Sequence, residues 1–175
     1  MGTTNDLSDR MKRYEESYKF ILPPRAYVIV RCDGKNFSKL TKYLNKPFDM
    51  DFSASMDETA VALCEEFNPK FAYCQSDEIS MLFTDIDNIN ASQMFDGKVQ
   101  KICSLTAAKA SVAFNHSRLL NVLAKYEDEN VGFLEDNKEL PTPAIFDSRV
   151  FIIPDVREVS NYFIHRQQDC TRNSI

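Results

Sequence analysis

A chain of 175 residues, 43% of them apolar, has enough material to bury a core without disulfide or metal staples, which excludes a disordered chain and a small disulfide-built scaffold. The net charge of −5 speaks against a uniformly basic surface, but the charge is segregated, and the position of basic residues matters more than their sum. Arg10–Lys46 holds ten basic and three acidic residues, Pro47–Asp96 one basic and eleven acidic, and Gly97–Tyr126 five basic and none acidic.

In chain order, "DLSDRMKRYEESYKF" has Leu7, Met11, Tyr14 and Tyr18 at helical spacing, and "LPPR" ends that helix because paired prolines cannot continue it. "AYVIVRC" is short, β-branched and apolar, the pattern of a central strand, and it stops at the turn-forming Asp33 and Gly34. "FSKLTKYL" reads as a short helix, followed by a loop through "NKPFD". "DFSASMDETAVALCEEF" is a longer helix with Met56, Ala60, Leu63, Cys64 and Phe67 on its core face. Two strand-like runs, Phe71–Cys74 and Ile79–Phe83, then flank the polar group Gln75, Ser76, Asp77 and Glu78, which fits a hairpin turn. After the polar connection "DIDNINASQMFDG", the stretch "KVQKICSLTAAKASVAFNHSRLLNVLAKY" predicts a long helix, and "EDENVGFLEDNKELPTP" an acidic loop. "AIFDSRVFIIP" is a further β-run, and "VREVSNYFIHRQQDC" opens a final helix.

The order β–α–β–β–α–β with a helix at each end predicts an α+β, ferredoxin-like palm: an antiparallel sheet with helices packed on one face. One domain over 1–175 is expected. The first strand is expected to be central and beside the strand that opens the hairpin, bringing "RCDG" and "QSDE" to the same edge. The five cysteines are odd in number and scattered, no CxxC pair occurs, and the only histidines are His116 and His165, so no zinc site is expected. With neither a signal peptide nor a long apolar run, a cytoplasmic protein without a membrane partner is expected.

An unpaired buried carboxylate is costly, so the polar knot of the hairpin is either an exposed, charged tip or a group with a cation to hold. If the two edges meet, Asp33, Asp77 and Glu78 converge with the Gly34 carbonyl nearby. Hard oxygen donors of this kind suit magnesium, and two such ions support phosphoryl or nucleotidyl transfer. Arg31, Lys35 and Lys46 are candidates for triphosphate binding around the first carboxylate. Lys98 and Lys101 are further candidates in the first turn of the long helix, where free amides favour anions; simple solvation of both lysines is the alternative.

The motifs "VIVRCDGKNF", "AYCQSDEISMLF", "FDSRVFIIP" and "YFIHRQQDCTRNSI", in this order, resemble the tRNA-histidine guanylyltransferase superfamily, above all its guanylyltransferase-like branch of 3′-to-5′ polymerases. The resemblance runs from about Arg10 to the last residue. It implies a palm that uses two Mg²⁺ ions and ATP or GTP to add nucleotides to the 5′ end of an RNA, usually tRNA. It also implies assembly as a homo-oligomer, usually a tetramer. On this resemblance Asp33, Gly34 and Asp77 ligate the metals and Glu78 supports or shares that role. Arg31, Lys46, Asp49, Lys98 and Lys101 handle triphosphates, and Ser76, Asp147 and Arg149 line the same site. Where histidine-specific members carry a His-Ile-Asn-Asn-type run, this chain has "TRNSI" from Thr171, and Ser38 stands where many relatives have histidine; the first departure favours the branch that repairs 5′-truncated tRNAs. Family members continue with further helices and strands, so a C-terminally shortened palm is expected. A cyclase-like two-metal enzyme and a noncatalytic nucleotide- or RNA-binding module are the competing readings, the former disfavoured by the lack of a "GGDEF" segment.

Overall fold

The computed structural model describes residues 4–46, 48–128 and 142–173. Helix α1 (Thr4–Glu16) precedes strand β1 (Tyr27–Gly34), and the short α2 (Phe37–Leu40) continues into a 3-10 turn over Thr41–Tyr43. Helix α3 (Met50–Phe67) leads to the hairpin of β2 (Phe71–Gln75) and β3 (Glu78–Thr84). A second 3-10 turn, Met94–Gly97, precedes the long α4 (Val99–Asp128), followed by β4 (Phe146–Ile153) and α5 (Val156–Asn173). Most of the expected acidic loop, residues 129–141, lies outside the described residues, as do the last two residues of "TRNSI".

The four strands form one antiparallel sheet in the order β2-β3-β1-β4. The ferredoxin-like palm is therefore the observed fold, with one correction: β1 lies beside the strand that closes the hairpin, not the one that opens it. The crossover through α3 returns β2 parallel to β1 with a place left between them, and β3 fills that gap by folding back. The edge predicted to gather "RCDG" and "QSDE" still forms, because β3 begins where β2 turns.

Side-chain alternation along β1 divides the sheet into two chemistries. Val28, Val30 and Cys32 face α3 and α4, where they pack with Ile79, Met81, Met56, Leu63, Ile102 and Phe114. Above them, Phe37, Phe52, Phe114 and Phe146 form an aromatic cluster with ring centroids 5.0–6.1 Å apart. Helices do not cover one face only. The opposite face carries α5, through Ile29, Ile153 and Val159 with Tyr27, Leu82, Phe151, Tyr162 and Phe163 around them. All five cysteines are free, and burial pushes Cys32 up to about 11 and Cys74 up to about 12, which makes both inert thiols at neutral pH. The predicted stripe of α1 is present, but Leu7, Met11 and Tyr14 are exposed. Among the described residues no helix is long and apolar enough to cross a membrane.

Candidate active site

The register of the sheet stacks side chains on the α5 face in rows. Gln75, Glu78, Asp33 and Asp147 form the outermost row, since Gln75 pairs with Glu78, Glu78 with Asp33 and Asp33 with Asp147. The next row inward is Tyr73, Ser80, Arg31 and Arg149, and the one after it Phe71, Leu82, Ile29 and Phe151. Acids at the rim, arginines behind them and aromatic packing beneath follow from residues two apart along each strand sharing a face.

The hairpin turns through Ser76 and Asp77 alone, with Ser76 at φ 48°. The Gly34 amide donates to the Asp77 carbonyl at 3.0 Å, which closes the end of β1 onto the turn. Gly34 has no room for a side chain: an added Cβ would meet the Phe37 ring at 2.5–2.6 Å. Burial raises the pKa of Asp33, and the negative charges of Asp77, Glu78 and Asp147 push it the same way, while Arg31 opposes them. Arg149 sits between two of these acids, 3.4 Å from Asp33 Oδ2 and 3.3 Å from Asp147 Oδ1.

Glu78 differs from its neighbours. It is 5% exposed, and both its oxygens are engaged. Arg166 of α5 donates from Nε to Oε1 at 2.8 Å and from Nη2 to Oε2 at 2.5 Å, and the Ser80 hydroxyl donates to Oε1 at 3.1 Å. Arg31 Nε stands 3.6 Å from Oε2, close enough for an ion pair but without a hydrogen bond. A bidentate guanidinium neutralises this carboxylate where it stands, so Glu78 forms half of a buried ion pair next to the rim acids.

A cleft of about 650 Å³ opens beside Asp33 and Asp77. Lys46, Asp49, Ser76, Gln75, Arg166 and Asp169 line it along with the apolar Phe48, Phe52 and Met56. Asp49 also caps α3: its Oδ1 accepts from the Phe52 amide at 2.9 Å and its Oδ2 from the Asn45 amide at 3.2 Å. The structure thus brings together Asp33, Gly34, Asp77, Glu78, Ser76, Lys46, Asp49, Arg31, Asp147 and Arg149. Lys35 follows Gly34 directly, and its amide donates to the Ile145 carbonyl at 2.8 Å.

Lys98 and Lys101 are not part of this group. Because β3 runs away from the acidic edge, α4 begins at the other end of the sheet. There Gly97 and Ile102 share a separate cavity with Ala26 and Thr84, residues at the start of β1 and the end of β3. Lys98 precedes α4 rather than lying in its first turn, pairs with Asp96 at 3.0 Å, and Lys101 rests 5.0 Å from the centre of the Phe95 ring. Sequence reasoning missed Arg166. Its signal is the "HRQQDC" segment, which marks the resemblance but not the pairing with Glu78.

Asp33 and Asp77 with the Gly34 carbonyl form a donor set that fits magnesium, which needs few protein oxygens and keeps waters or phosphates for the rest. Burial first, and then the like charges of Asp77, Glu78 and Asp147, raise the pKa of Asp33 although Arg31 opposes them, so a cation bound there would stabilise its charged form. No group of three or more His, Cys, Asp or Glu side chains poised to hold a metal occurs among the described residues.

Fold and site together define a palm-type α+β domain with an acidic rim beside an open cleft. The family model described as tRNAHis guanylyltransferase matches residues 8–154, and the chain belongs to that family. A protein of Acanthamoeba polyphaga mimivirus is 34% identical over 97% of this chain and 60% of its own length. The tRNA(His) guanylyltransferase of Debaryomyces hansenii is 30% identical over 94% of this chain and 57% of its own. The chain thus spans 57–60% of the length of these two curated relatives. Among solved structures, a bacterial tRNA(His) guanylyltransferase-like protein in complex with GTP superposes with a TM-score of 0.80 at 38% identity, covering 96% of this chain and 72% of that one. The structure of such a protein in complex with ATP also gives 0.80, at 40% identity, covering 95% and 66%.

Proposed function

We propose that this chain holds the catalytic palm, as one domain over 1–175, of an RNA nucleotidyltransferase that adds nucleotides to the 5′ end of tRNA in the 3′-to-5′ direction. The carrying observation is the meeting of Asp33 and Asp77 at one sheet edge, locked by the Gly34–Asp77 hydrogen bond, beside a cleft of nucleotide size. Family membership supports the reaction class, and the GTP- and ATP-bound relatives support triphosphates as co-substrates.

On this reading Asp33, Asp77 and the Gly34 carbonyl hold two Mg²⁺ ions. Bound there, the ions supply Lewis-acid stabilisation of the phosphate oxygens and lower the pKa of the attacking hydroxyl. Lys46 and Ser76, which line the cleft next to the turn, bind the triphosphate chain. Arg149 supports Asp33 and Asp147 at the rim. Glu78 acts from behind, as half of a buried ion pair.

A 5′-extension assay tests the reading, using labelled tRNA that lacks its first nucleotide, all four nucleoside triphosphates and Mg²⁺. Extension at the 5′ end by the wild type and none by Asp77→Ala supports it. Extension that Asp77→Ala leaves untouched removes the assignment of the site.

A further inference from the structure

Both flanks of the Ser76–Asp77 turn are held by one residue of α5. The Arg166 guanidinium grips Glu78, which follows the turn, through the two hydrogen bonds of 2.8 and 2.5 Å. The Arg166 main-chain carbonyl accepts from Gln75 Nε2, which precedes the turn, at 2.8 Å. The guanidinium is itself held by Asp169 through Nη1 at 3.1 Å, and Ser80 ties Glu78 to the Tyr162 hydroxyl at 2.9 Å. The turn needs such support: Ser76 holds a left-handed φ of 48° without being glycine, and Asp77 sits beside the like charge of Asp33.

We infer that Arg166 is a positioning residue, which clamps Gln75 and Glu78 from α5 and so fixes Asp77 in the geometry that captures a divalent cation. The inference rests on the proposed metal site. It assigns to the last helix a role in the affinity of a site built on β1 and the hairpin. Partners that orient metal ligands typically change metal affinity by about 10–100-fold when removed.

Electrostatics makes the sign of the effect decisive. Removing the guanidinium leaves Glu78 with only the Arg31 ion pair near Asp33 and Asp77, and the less compensated negative charge alone would draw a cation more tightly. Loss of positioning predicts the opposite. The test is Mn²⁺ binding to the whole chain by electron paramagnetic resonance and calorimetry, at a temperature where circular dichroism shows each variant folded. The variants are Arg166→Ala, Arg166→Lys and Asp77→Ala.

The expected result is Mn²⁺ binding by the wild type, its loss in Asp77→Ala, and binding weakened about tenfold in Arg166→Ala. Arg166→Lys, which keeps the main-chain clamp and the charge but not the fork, is expected to lie between wild type and Arg166→Ala. Unchanged or tighter binding in both Arg166 variants, with Asp77→Ala still deficient, overturns the positioning role and leaves the metal site standing. Wild-type protein that binds no Mn²⁺, or binds it equally well as Asp77→Ala, overturns both. A purely structural Arg166 would lower the melting temperature of its variants without moving the dissociation constant of the folded protein.

Discussion

Asp77 and Glu78 are adjacent in the chain but stand on opposite sides of an electrostatic boundary. Glu78 is buried in a bidentate pair with Arg166, whereas Asp77 lies on the turn and acts more strongly on Asp33 than Glu78 does. The strand's alternation produces the difference. Glu78 is the first residue of β3 and points toward α5, while Asp77 belongs to the turn itself.

Alanine at the two positions therefore has opposite effects on the metal-free protein. Asp77→Ala removes a charge that repels Asp33, and its melting temperature in chelator is expected to equal or exceed that of the wild type. Glu78→Ala leaves the Arg166 and Arg31 side chains buried beside a missing partner and should cost about 3–5 kcal/mol, the range for breaking a buried pair. Urea denaturation of the two variants measures this. A Glu78→Ala variant as stable as Asp77→Ala would mean that the ion pair contributes nothing and that Glu78 is free for another role.

The pH dependence of stability reports on Asp33. Its folded pKa is raised above the ordinary 3.8. The stability it contributes is thus fully present below that value and lost as pH rises through the folded pKa. In chelator, the wild type should lose this increment above about pH 4, and Asp33→Asn should not. Adding Mg²⁺ at neutral pH reverses the loss by binding the charged form. A concentration one hundred times the dissociation constant stabilises the folded state by about 2.7 kcal/mol, roughly 5–10 °C in melting temperature for a chain of this size. Melting curves from pH 4 to 7, with and without Mg²⁺, decide the point. A wild type and Asp33→Asn that respond alike to pH and to Mg²⁺ would place the cation elsewhere.

The parts of this architecture that could be read from sequence are those fixed by local period and turn chemistry. "AYVIVRC" and "FIIP" announce strands by β-branched and apolar runs, and "QSDE" between two such runs announces a hairpin. From the order of elements followed the palm and the meeting of its two acidic edges. What could not be read was how strands far apart in sequence share the sheet. The place of β3 between β2 and β1 depends on the crossover, and that place decides which acid faces which arginine. Arg166 lies 88 residues beyond Glu78, and no local pattern links them. A helix start favours anions, which makes Lys98 and Lys101 candidates for anion binding from sequence, with solvation of both as the alternative. The direction of α4 relative to β1, a tertiary property, puts that helix start at the far end of the sheet.

Gly34 offers the sharpest test of how closely core and site are joined. Its missing side chain is what allows the Phe37 ring to lie against the end of β1, where that ring holds Phe52, Phe114 and Phe146 together at centroid distances of 5.0–6.1 Å. A methyl group at position 34 would overlap the ring itself rather than the end of a flexible chain. Gly34→Ala is therefore expected to cost about 1–3 kcal/mol, as overpacking of a close-packed core does. It should also weaken Mn²⁺ binding, because the backbone that shifts to relieve the clash carries both the Gly34 carbonyl and the amide bonded to Asp77 at 3.0 Å. Shrinking the obstacle should recover part of the stability: Gly34→Ala with Phe37→Leu is expected to melt above Gly34→Ala alone, although Phe37→Leu by itself melts below the wild type. If the double variant instead shows the simple sum of the two losses, the ring is not what excludes a side chain at Gly34, and the glycine is required by the site rather than by the core.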